Sequence, residues 1–450
     1  MGALFGTDGI RGKANRYPIT PEVALQVGKA VGKTFRERRG PTSRVLIGKD
    51  TRLSGYMLET ALTSGLVSMG ADVLLVGPVP TPAVAHLTRS MGTSAGIMLT
   101  ASHNPHEDNG IKIFGGDGYK LSDELEEQIE QLVLDGGSLE GSGSEAGIGK
   151  AFRLEDARGR YIEFAKSMIG SRDLAGLRIV LDCANGAAYS VGPLIFRELG
   201  AEVIEIGVSP NGTNINDECG ALHIERVSDL VRTYRADVGI ALDGDADRVI
   251  FCDSSGAKVD GDRILGMCAL DLKRERRLAQ DTLVVTSMSN LGLVDAMKRA
   301  GIAVEVTDVG DRQVIECMRR RKLNLGGEKS GHVIFGDYAT TGDGVLSALQ
   351  VLSLMKRSDS DLAGLCGFME EYPQQLESFA VRAKPPLEEL GKLSALTAQA
   401  EKEMAADGRV VIRYSGTENK MRILVECRDG RRTERWCRQL VQAAAEEIGV

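Results

Sequence analysis

Basic excess, long apolar runs and paired cysteines are all missing from this chain, and each absence removes a class of function. Lysine and arginine number 55 against 63 aspartates and glutamates, a net charge of −8, and no long basic run offsets it. Nucleic-acid binding therefore has little electrostatic support. An anionic small ligand would have to find its positive field locally, in a few arginines, a helix N-terminus or a metal ion. No stretch is apolar enough, for long enough, to span a bilayer. Residues 1–20 carry Asp8, Arg11, Lys13 and Arg16 and hold no apolar signal core. Gly6 stands where a myristoylation signal needs Ser or Thr. The eight cysteines include no C-x-x-C pair and read as reduced, mostly buried thiols. The expected compartment is the cytoplasm. The oligomeric state stays open, a homodimer included.

At 450 residues the chain exceeds one hydrophobic core. Short apolar strands alternate with helical stretches, which predicts α/β layers. The first helix is marked by Thr20 as cap, Pro21 in the first turn, and Val23, Val27, Val31 and Phe35 at every fourth position up to Gly40. A weak internal repeat follows. Gly70-Ala71-Asp72-Val73-Leu74-Leu75-Val76-Gly77 returns as Gly200-Ala201-Glu202-Val203-Ile204-Glu205-Ile206-Gly207, and more loosely from Gly301 to Gly310. The copies lie 130 and 101 positions apart, far beyond solenoid periods of about 20–50, so three successive domains of similar plan are expected. Composition sets boundaries at 1–152, 153–254, 255–370 and 371–450. A Gly/Ser-rich linker covers 136–149, and the last stretch reads strand, helix, two strands and helix, a small α+β domain.

Three motifs mislead. Gly92-Thr93-Ser94-Ala95-Gly96 matches the nucleophile elbow of serine hydrolases, but a helix precedes it and a strand follows, the reverse of what an elbow needs. Gly32-Lys33-Thr34 lacks the first glycine of a P-loop. Asp243-Gly244-Asp245-Ala246-Asp247 opens like a calcium loop, but Arg248 and Ser254 occupy the places of its glycine and its bidentate glutamate.

The same aspartates are the strongest signal in another role. Asp243, Asp245 and Asp247 alternate with small residues, so an extended segment turns all three carboxylates to one side. Three adjacent carboxylates repel unless a cation or a basic partner is present, and hard oxygen ligands suit magnesium. On spacing alone, a metal loop and a solvated acidic turn stand equal. Thr100-Ala101-Ser102-His103-Asn104-Pro105 follows a strand ending at Leu99, and a serine there is most often a turn residue. Gly326–His332 is glycine-rich and carries Glu328, Lys329, Ser330 and His332. Arg413-Tyr414-Ser415-Gly416-Thr417-Glu418-Asn419 joins a guanidinium, two hydroxyls and a glycine, a composition suited to phosphate. Each has a plain turn as its bland alternative.

In order and spacing along the whole chain, these segments resemble the α-D-phosphohexomutase superfamily. Its phosphoserine loop is similar to Thr100–Pro105, its metal loop to Asp243–Arg248, its sugar loop to Glu328–His332 and its phosphate loop to Arg413–Glu418. Phe5-Gly6-Thr7-Asp8-Gly9-Ile10-Arg11-Gly12, Asp182–Tyr189 and Asn214-Ile215-Asn216 resemble the amino-sugar branch. The resemblance implies three similar α/β domains with mixed sheets, plus a smaller C-terminal α+β domain, around a central cleft.

It also implies interconversion of glucosamine 6-phosphate and glucosamine 1-phosphate through a 1,6-bisphosphate, in supply of amino-sugar nucleotides. Ser102 would carry the phosphoryl group as phosphoserine. One magnesium ion would sit on Ser102, Asp243, Asp245 and Asp247, and a hexose or hexosamine 1,6-bisphosphate would act as activator. Arg11, Lys112 and Arg248 would surround the phosphoserine, with His332 or Lys112 moving the hydroxyl proton. Glu328, Ser330 and His332 would read sugar hydroxyls, and Arg413, Ser415, Gly416 and Thr417 would hold the second phosphate. Lys329 replaces the usual Gln, Ala221-Leu222 a more polar pair, and Tyr414 and Asn419 prolines. A positive Lys329 beside a protonated amine is unfavourable, so it is expected to point elsewhere, toward phosphate. Activity on glucose or mannose phosphates, serine hydrolysis at Ser94, and sugar-phosphate binding without turnover are the competing expectations.

Overall fold

A computed structural model describes all residues except 1–3, 7, 40–42, 136–146, 171–172 and 416–418. Most of the expected linker, and the site candidates Gly416 and Thr417, lie outside the described residues. The first helix runs Pro21–Arg39, and the Thr20 hydroxyl accepts the Val23 N–H at 3.3 Å, satisfying one of the donors a helix leaves open. Val27, Val31 and Phe35 are buried along its inner face.

The internal repeat is a β-α-β unit built three times. Arg44–Lys49, Arg178–Asp182 and Thr282–Thr286 pair in parallel with Asp72–Pro78, Glu202–Ile206 and Ala303–Thr307 respectively. The helix between each pair stops at the first glycine of the repeat. Gly70, Gly200 and Gly301 take φ of 81°, 93° and 70°, the left-handed exit that glycine makes without strain. On its other side each first strand has a second parallel neighbour: Ala95–Leu99, Val238–Leu242 and Leu325–Gly327. Each of these turns back into an antiparallel partner, Asp108–Gly115, Val249–Asp253 and Val333–Phe335. Residues 100–107, 243–248 and 328–332 are thus one connection in three copies. Each sits at the carboxyl end of a strand, where open α/β sheets bind ligands.

Edge strands complete the sheets. Ile10–Lys13 and Ala151–Arg153 flank the first, and Lys258–Val259 flanks the second, so pairing carries both sheets past the boundaries expected at 152 and 254. One buried cluster runs through all three units, from Leu46 and Phe114 through Leu181 and Leu242 to Leu265 and Leu349. The last unit is a three-stranded antiparallel sheet in the order Gln374–Ala380, Lys420–Cys427, Gly408–Tyr414. Leu393, Trp436 and Leu440 of its helices pack on Ile423 and Val425. Its strands are longer than the apolar runs suggest, because the ladder continues through Arg413, Tyr414 and Lys420. The first helix of this unit begins as a 3-10 turn, Leu387–Glu389, and becomes α-helical at Gly391–Met404.

Candidate active site

Ser102 sits at the tip of the first of these connections and is 1% exposed, not in the solvated loop its polar neighbours suggest. Its φ is 52°, a left-handed conformation that a non-glycine residue keeps only when its surroundings hold it. The Ser102 N–H donates to the Thr100 hydroxyl at 2.9 Å. The Ser102 Oγ donates to Asp243 Oδ2 at 2.6 Å, so the tips of the first and second connections meet. His103 does reach its neighbour: Nδ1 lies 3.4 Å from Ser102 Oγ and accepts from Arg248 Nη1 at 2.8 Å. Burial, then Arg248 and Arg11, lower its pKa to about 4. His103 is therefore a neutral hydrogen-bonding partner.

Asp243, Asp245 and Asp247 present carboxylate oxygens within 4.8 Å of one another, all buried. Burial, then Asp247 and Asp245, push Asp243 well above the ordinary carboxylate range. Burial also works against charge on Asp247, but Lys112, His332 and Arg248 outweigh it and hold this carboxyl well below that range. Oδ1 of Asp245 and Oδ1 of Asp247 are buried with no hydrogen-bond partner. Orphaned oxygens of this kind are costly, and a divalent cation with oxygen preference satisfies them. The triad fits magnesium, and the acidic-turn alternative fails because the turn is not solvated.

The expected cations are all here. Lys112, from the strand Asp108–Gly115, places Nζ 3.0 Å from Asp245 Oδ2, 3.3 Å from Asp8 Oδ2 and 3.4 Å from Asp247 Oδ2. Burial works against its charge, but Asp245, Asp8 and Asp247 raise its pKa well above that of a free lysine. Arg11 pairs with Asp8. The Nε atoms of Arg11 and Arg248 are buried without hydrogen-bond partners, and Arg248 Nε lies 4.0 Å from Asp247 Oδ1.

His332 couples the sugar loop to the aspartates, with Nδ1 3.8 Å from Asp247 Oδ2. Its Nε2 accepts the Gly342 N–H at 3.1 Å, so the neutral ring carries its hydrogen on Nδ1, facing Asp247. Burial disfavours its charge, yet Asp247, Asp311 and Glu328 together raise its pKa above the ordinary value. Gly331, at φ 92°, has no room for a side chain against Val249, and its carbonyl accepts the Val249 N–H at 3.0 Å. The sugar loop is thereby fixed to the aspartate hairpin. Glu328 Oε1 accepts the Gly310 N–H at 3.2 Å, and the Ser330 hydroxyl reaches Oε2 at 3.5 Å.

Lys329 leaves this group. Its Nζ donates to Gln374 Oε1 at 2.8 Å, with Glu371 at 3.6 Å and Asp260 at 3.8 Å. The expectation that it turns toward phosphate is corrected: carboxylates at the junction with the last unit draw it away. Arg413 lies opposite Arg422 in the ladder. Burial, then Arg422, lower its pKa, against the pull of Glu328. The Ser415 carbonyl accepts from Lys384 Nζ at 2.8 Å. Ser94 is a buried residue at the start of the strand Ala95–Leu99, its N–H bonded to the Arg44 carbonyl at 2.7 Å. It is no nucleophile elbow.

Several partners escaped the sequence reading. Thr81 donates its hydroxyl to Asp245 Oδ2 at 2.6 Å, Lys120 bridges Asp8 and Asp311, and Arg422 faces Arg413. Lys120 and Asp311 stand in different units, so no local pattern marks them. Arg52 and Asn216 hold the serine loop itself, as described below.

Four domain models describing phosphoglucomutase/phosphomannomutase match in chain order. They are alpha/beta/alpha domain I over 2–139, domain II over 159–256, domain III over 260–372 and the C-terminal domain over 377–443. The chain belongs to the phosphoglucomutase/phosphomannomutase family. Within that family it is 51% identical to the phosphoglucosamine mutase of Pelobacter propionicus, over 100% of this chain and 99% of that one. A family protein of Burkholderia thailandensis superposes with a TM-score of 0.83 at 24% identity, covering 99% of both chains. The N-acetylphosphoglucosamine mutase of Aspergillus fumigatus, solved with GlcNAc-6P and magnesium, shares the fold with a TM-score of 0.66 at 18% identity, over 98% of this chain and 95% of that one. This chain is thus a phosphohexomutase-family enzyme. Among the described residues no helix is long and apolar enough to cross a membrane.

Proposed function

We propose that this enzyme interconverts glucosamine 6-phosphate and glucosamine 1-phosphate, with phosphorylated Ser102 as donor and acceptor. The observation that carries the reading is the 2.6 Å approach of Ser102 Oγ to Asp243 within a buried carboxylate triad ringed by Lys112, Arg248 and Arg11. In the first half-reaction the bond from phosphorus to Ser102 Oγ breaks and a bond to the free sugar hydroxyl forms, giving a 1,6-bisphosphate. After the bisphosphate turns round, its other phosphoryl group returns to Ser102 and the product leaves. Asp243, Asp245 and Asp247, with the phosphoserine, would hold magnesium, which supplies neutralisation of charge on the transferring group.

The protein's own groups divide the remaining work. Arg248 and Arg11 offer their unpaired Nε–H groups to phosphoryl oxygens. Lys112, held protonated by three carboxylates, serves as a fixed positive charge beside the phosphoserine. His332 would take the hydroxyl proton at Nε2 on release of the Gly342 N–H that this nitrogen accepts, and Asp247 and Asp311 would stabilise the imidazolium formed. Glu328 and Ser330 bind sugar hydroxyls, and Arg413 and Ser415, with Gly416 and Thr417, hold the non-reacting phosphate. A hexose or hexosamine 1,6-bisphosphate charges Ser102 at the outset. The identity to the Pelobacter propionicus phosphoglucosamine mutase supports the amino sugar. All eight cysteines are buried, unpaired thiols, in keeping with a reducing cytoplasm.

The test compares kcat/KM for glucosamine, glucose and mannose phosphates, and we expect the amino sugar to lead. Preference for mannose 1-phosphate would overturn the assignment. Ser102→Ala, at a position where alanine meets the same left-handed backbone, should fold and lose turnover together with the phosphate seen by intact mass.

A further inference from the structure

The left-handed turn at Ser102 needs something to hold it. Three carbonyl oxygens of the turn, those of Ser102, Asn104 and Pro105, point to a single guanidinium. Arg52 Nη2 donates to Ser102 O at 3.0 Å and to Asn104 O at 2.9 Å, and Nη1 donates to Pro105 O. Arg52 is fully buried. Asp50 fixes its base, accepting from Nε at 2.8 Å and from the backbone N–H at 2.9 Å. Paired with Asp50 at 2.8 Å, the fork serves as a set of directed N–H donors on the loop carbonyls.

A second donor reaches the same carbonyls from the neighbouring unit. Asn216 Nδ2 donates to Ser102 O at 2.9 Å and to Asn104 O at 3.0 Å. Asn216 is itself left-handed, at φ 58°, and its N–H is anchored on the Ala184 carbonyl at 2.9 Å. Gly244, between two of the metal-site aspartates, closes over the junction. A side chain there would meet Ser102 O at 2.5 Å and Asn216 Nδ2 at 2.7 Å. The seam is tied again where the Thr51 hydroxyl donates to Asn185 O and the Leu53 N–H to Gly212 O at 2.9 Å.

We propose that Arg52 and Asn216 form a two-sided carbonyl clamp that sets Ser102 Oγ against the Asp243 carboxylate, and that phosphoryl transfer requires both halves. The proposal rests on the phosphoserine reading above. The clamp turns the carbonyl dipoles of the loop inward onto N–H donors, so that they do not add to the negative charge of a phosphoryl group already beside three carboxylates. Because Asn216 belongs to the second unit, the serine is in place only when the two units are seated together. Neither residue touches substrate; both are positioning residues.

The experiment charges the parent, Asn216→Asp, Asn216→Ala and Arg52→Lys with glucose 1,6-bisphosphate. It follows Ser102 phosphate by intact mass, then measures single-turnover transfer to glucosamine, glucose and mannose monophosphates. Asn216→Asp keeps the shape but sets a carboxylate oxygen against two carbonyls. Transfer should slow about a hundredfold, equally for every sugar and with KM unchanged, in protein that is folded at the assay temperature although its thermal midpoint is lowered. Asn216→Ala should be slowed less, since it removes the donor without adding repulsion. Arg52→Lys, which cannot serve three carbonyls and Asp50 together, should lose transfer and thermal stability together. Transfer by Asn216→Asp at the parent's rate, or a KM that rises in step with the loss, overturns the clamp. A parent that prefers mannose phosphate refutes the sugar assignment alone, whereas a parent that never becomes phosphorylated on Ser102 refutes both.

Discussion

Ser102 Oγ and Asp243 Oδ2 lie 2.6 Å apart although their residues are 141 positions apart in the chain. The contact joins the tips of equivalent connections from two copies of one β-α-β plan, so packing of the copies brings Ser102 to the carboxylates. Asp243 donates nothing when ionised. In this geometry the serine hydroxyl donates to the Asp243 carboxylate, and burial, then Asp247 and Asp245, push the Asp243 pKa well above the ordinary range.

Asp245→Asn tests what offsets that repulsion. Asp245 Oδ2 already accepts from Thr81 and Lys112, while Oδ1 is buried and unpartnered. The amide keeps a neutral oxygen and loses the charge that a hard cation seeks. Activity should fall steeply, and the magnesium concentration giving half-maximal rate should rise. An unchanged magnesium dependence would make the aspartates a structural turn.

Most of this site was legible because its chemistry lies in contiguous segments. The Asp243–Asp247 alternation and the glycine-rich loop at 326–332 are local patterns, and the apolar segments opening at Gly70, Gly200 and Gly301 betray the plan, since each copy has glycine at the same left-handed helix exit. What escaped is what the packing of units creates. Arg52 follows a buried strand and reads as an ordinary loop arginine until the serine loop folds over it. Lys120 meets Asp311 across 191 positions. The burial of Ser102 was missed because Thr, Ser, His and Asn in succession look solvated, and only the second unit covers them.

Asp262→Asn should remove a pH dependence of stability. This carboxyl is 1% exposed, and its Oδ2 accepts the Asn290 N–H at 2.8 Å, while Oδ1 is buried without a partner. Burial, then nearby Asp260, raise its pKa to about 7, against about 3.9 in an unfolded chain. The folded state binds the proton more tightly, so this group's contribution is fully present below about pH 4 and is lost as pH rises to about 7. An asparagine oxygen can still accept from Asn290. The variant should match or trail the parent at about pH 5 and exceed it at about pH 8, by on the order of a few kcal/mol. Urea unfolding at the two pH values measures this, and a parent–variant difference that does not move with pH would refute it.

Lys329→Gln should leave sugar preference alone. Its ammonium bonds Gln374 and faces Glu371 and Asp260, away from Glu328 and Ser330. The ratio of kcat/KM between glucosamine and glucose phosphates should stay constant. Stability should drop by about 1 kcal/mol or less, as partly exposed ion pairs allow. A changed ratio would place the side chain in the sugar site during turnover.

Arg413→Ala tests whether the last unit is a hinged clamp on the phosphate that is not reacting. Arg413 and Arg422 stand opposite each other across paired strands, and burial, then Arg422, lower the pKa of Arg413. Glu328 of the neighbouring unit acts in the opposite sense, raising the pKa of Arg413. The unit joins the rest near Tyr372, whose N–H and carbonyl both pair with the Asn290 side chain at 3.0 Å. A hinge here would let the sheet beyond Tyr372 move as a body, at the cost of the bonds from Arg409 to the Ser289 carbonyl and from the Leu291 N–H to Glu426. The bisphosphate must turn end over end without escaping, and a clamp that grips either phosphate meets both demands. Removing the guanidinium should lower kcat/KM by about 2–5 kcal/mol, as truncating one partner of a desolvated charge pair does. Weak binding alone would raise KM and release no intermediate. A failed clamp instead lets free 1,6-bisphosphate leave before the second transfer, and single-turnover assays with phosphorylated enzyme detect it directly. Equal release from variant and parent would show that Arg413 binds substrate but does not retain the intermediate.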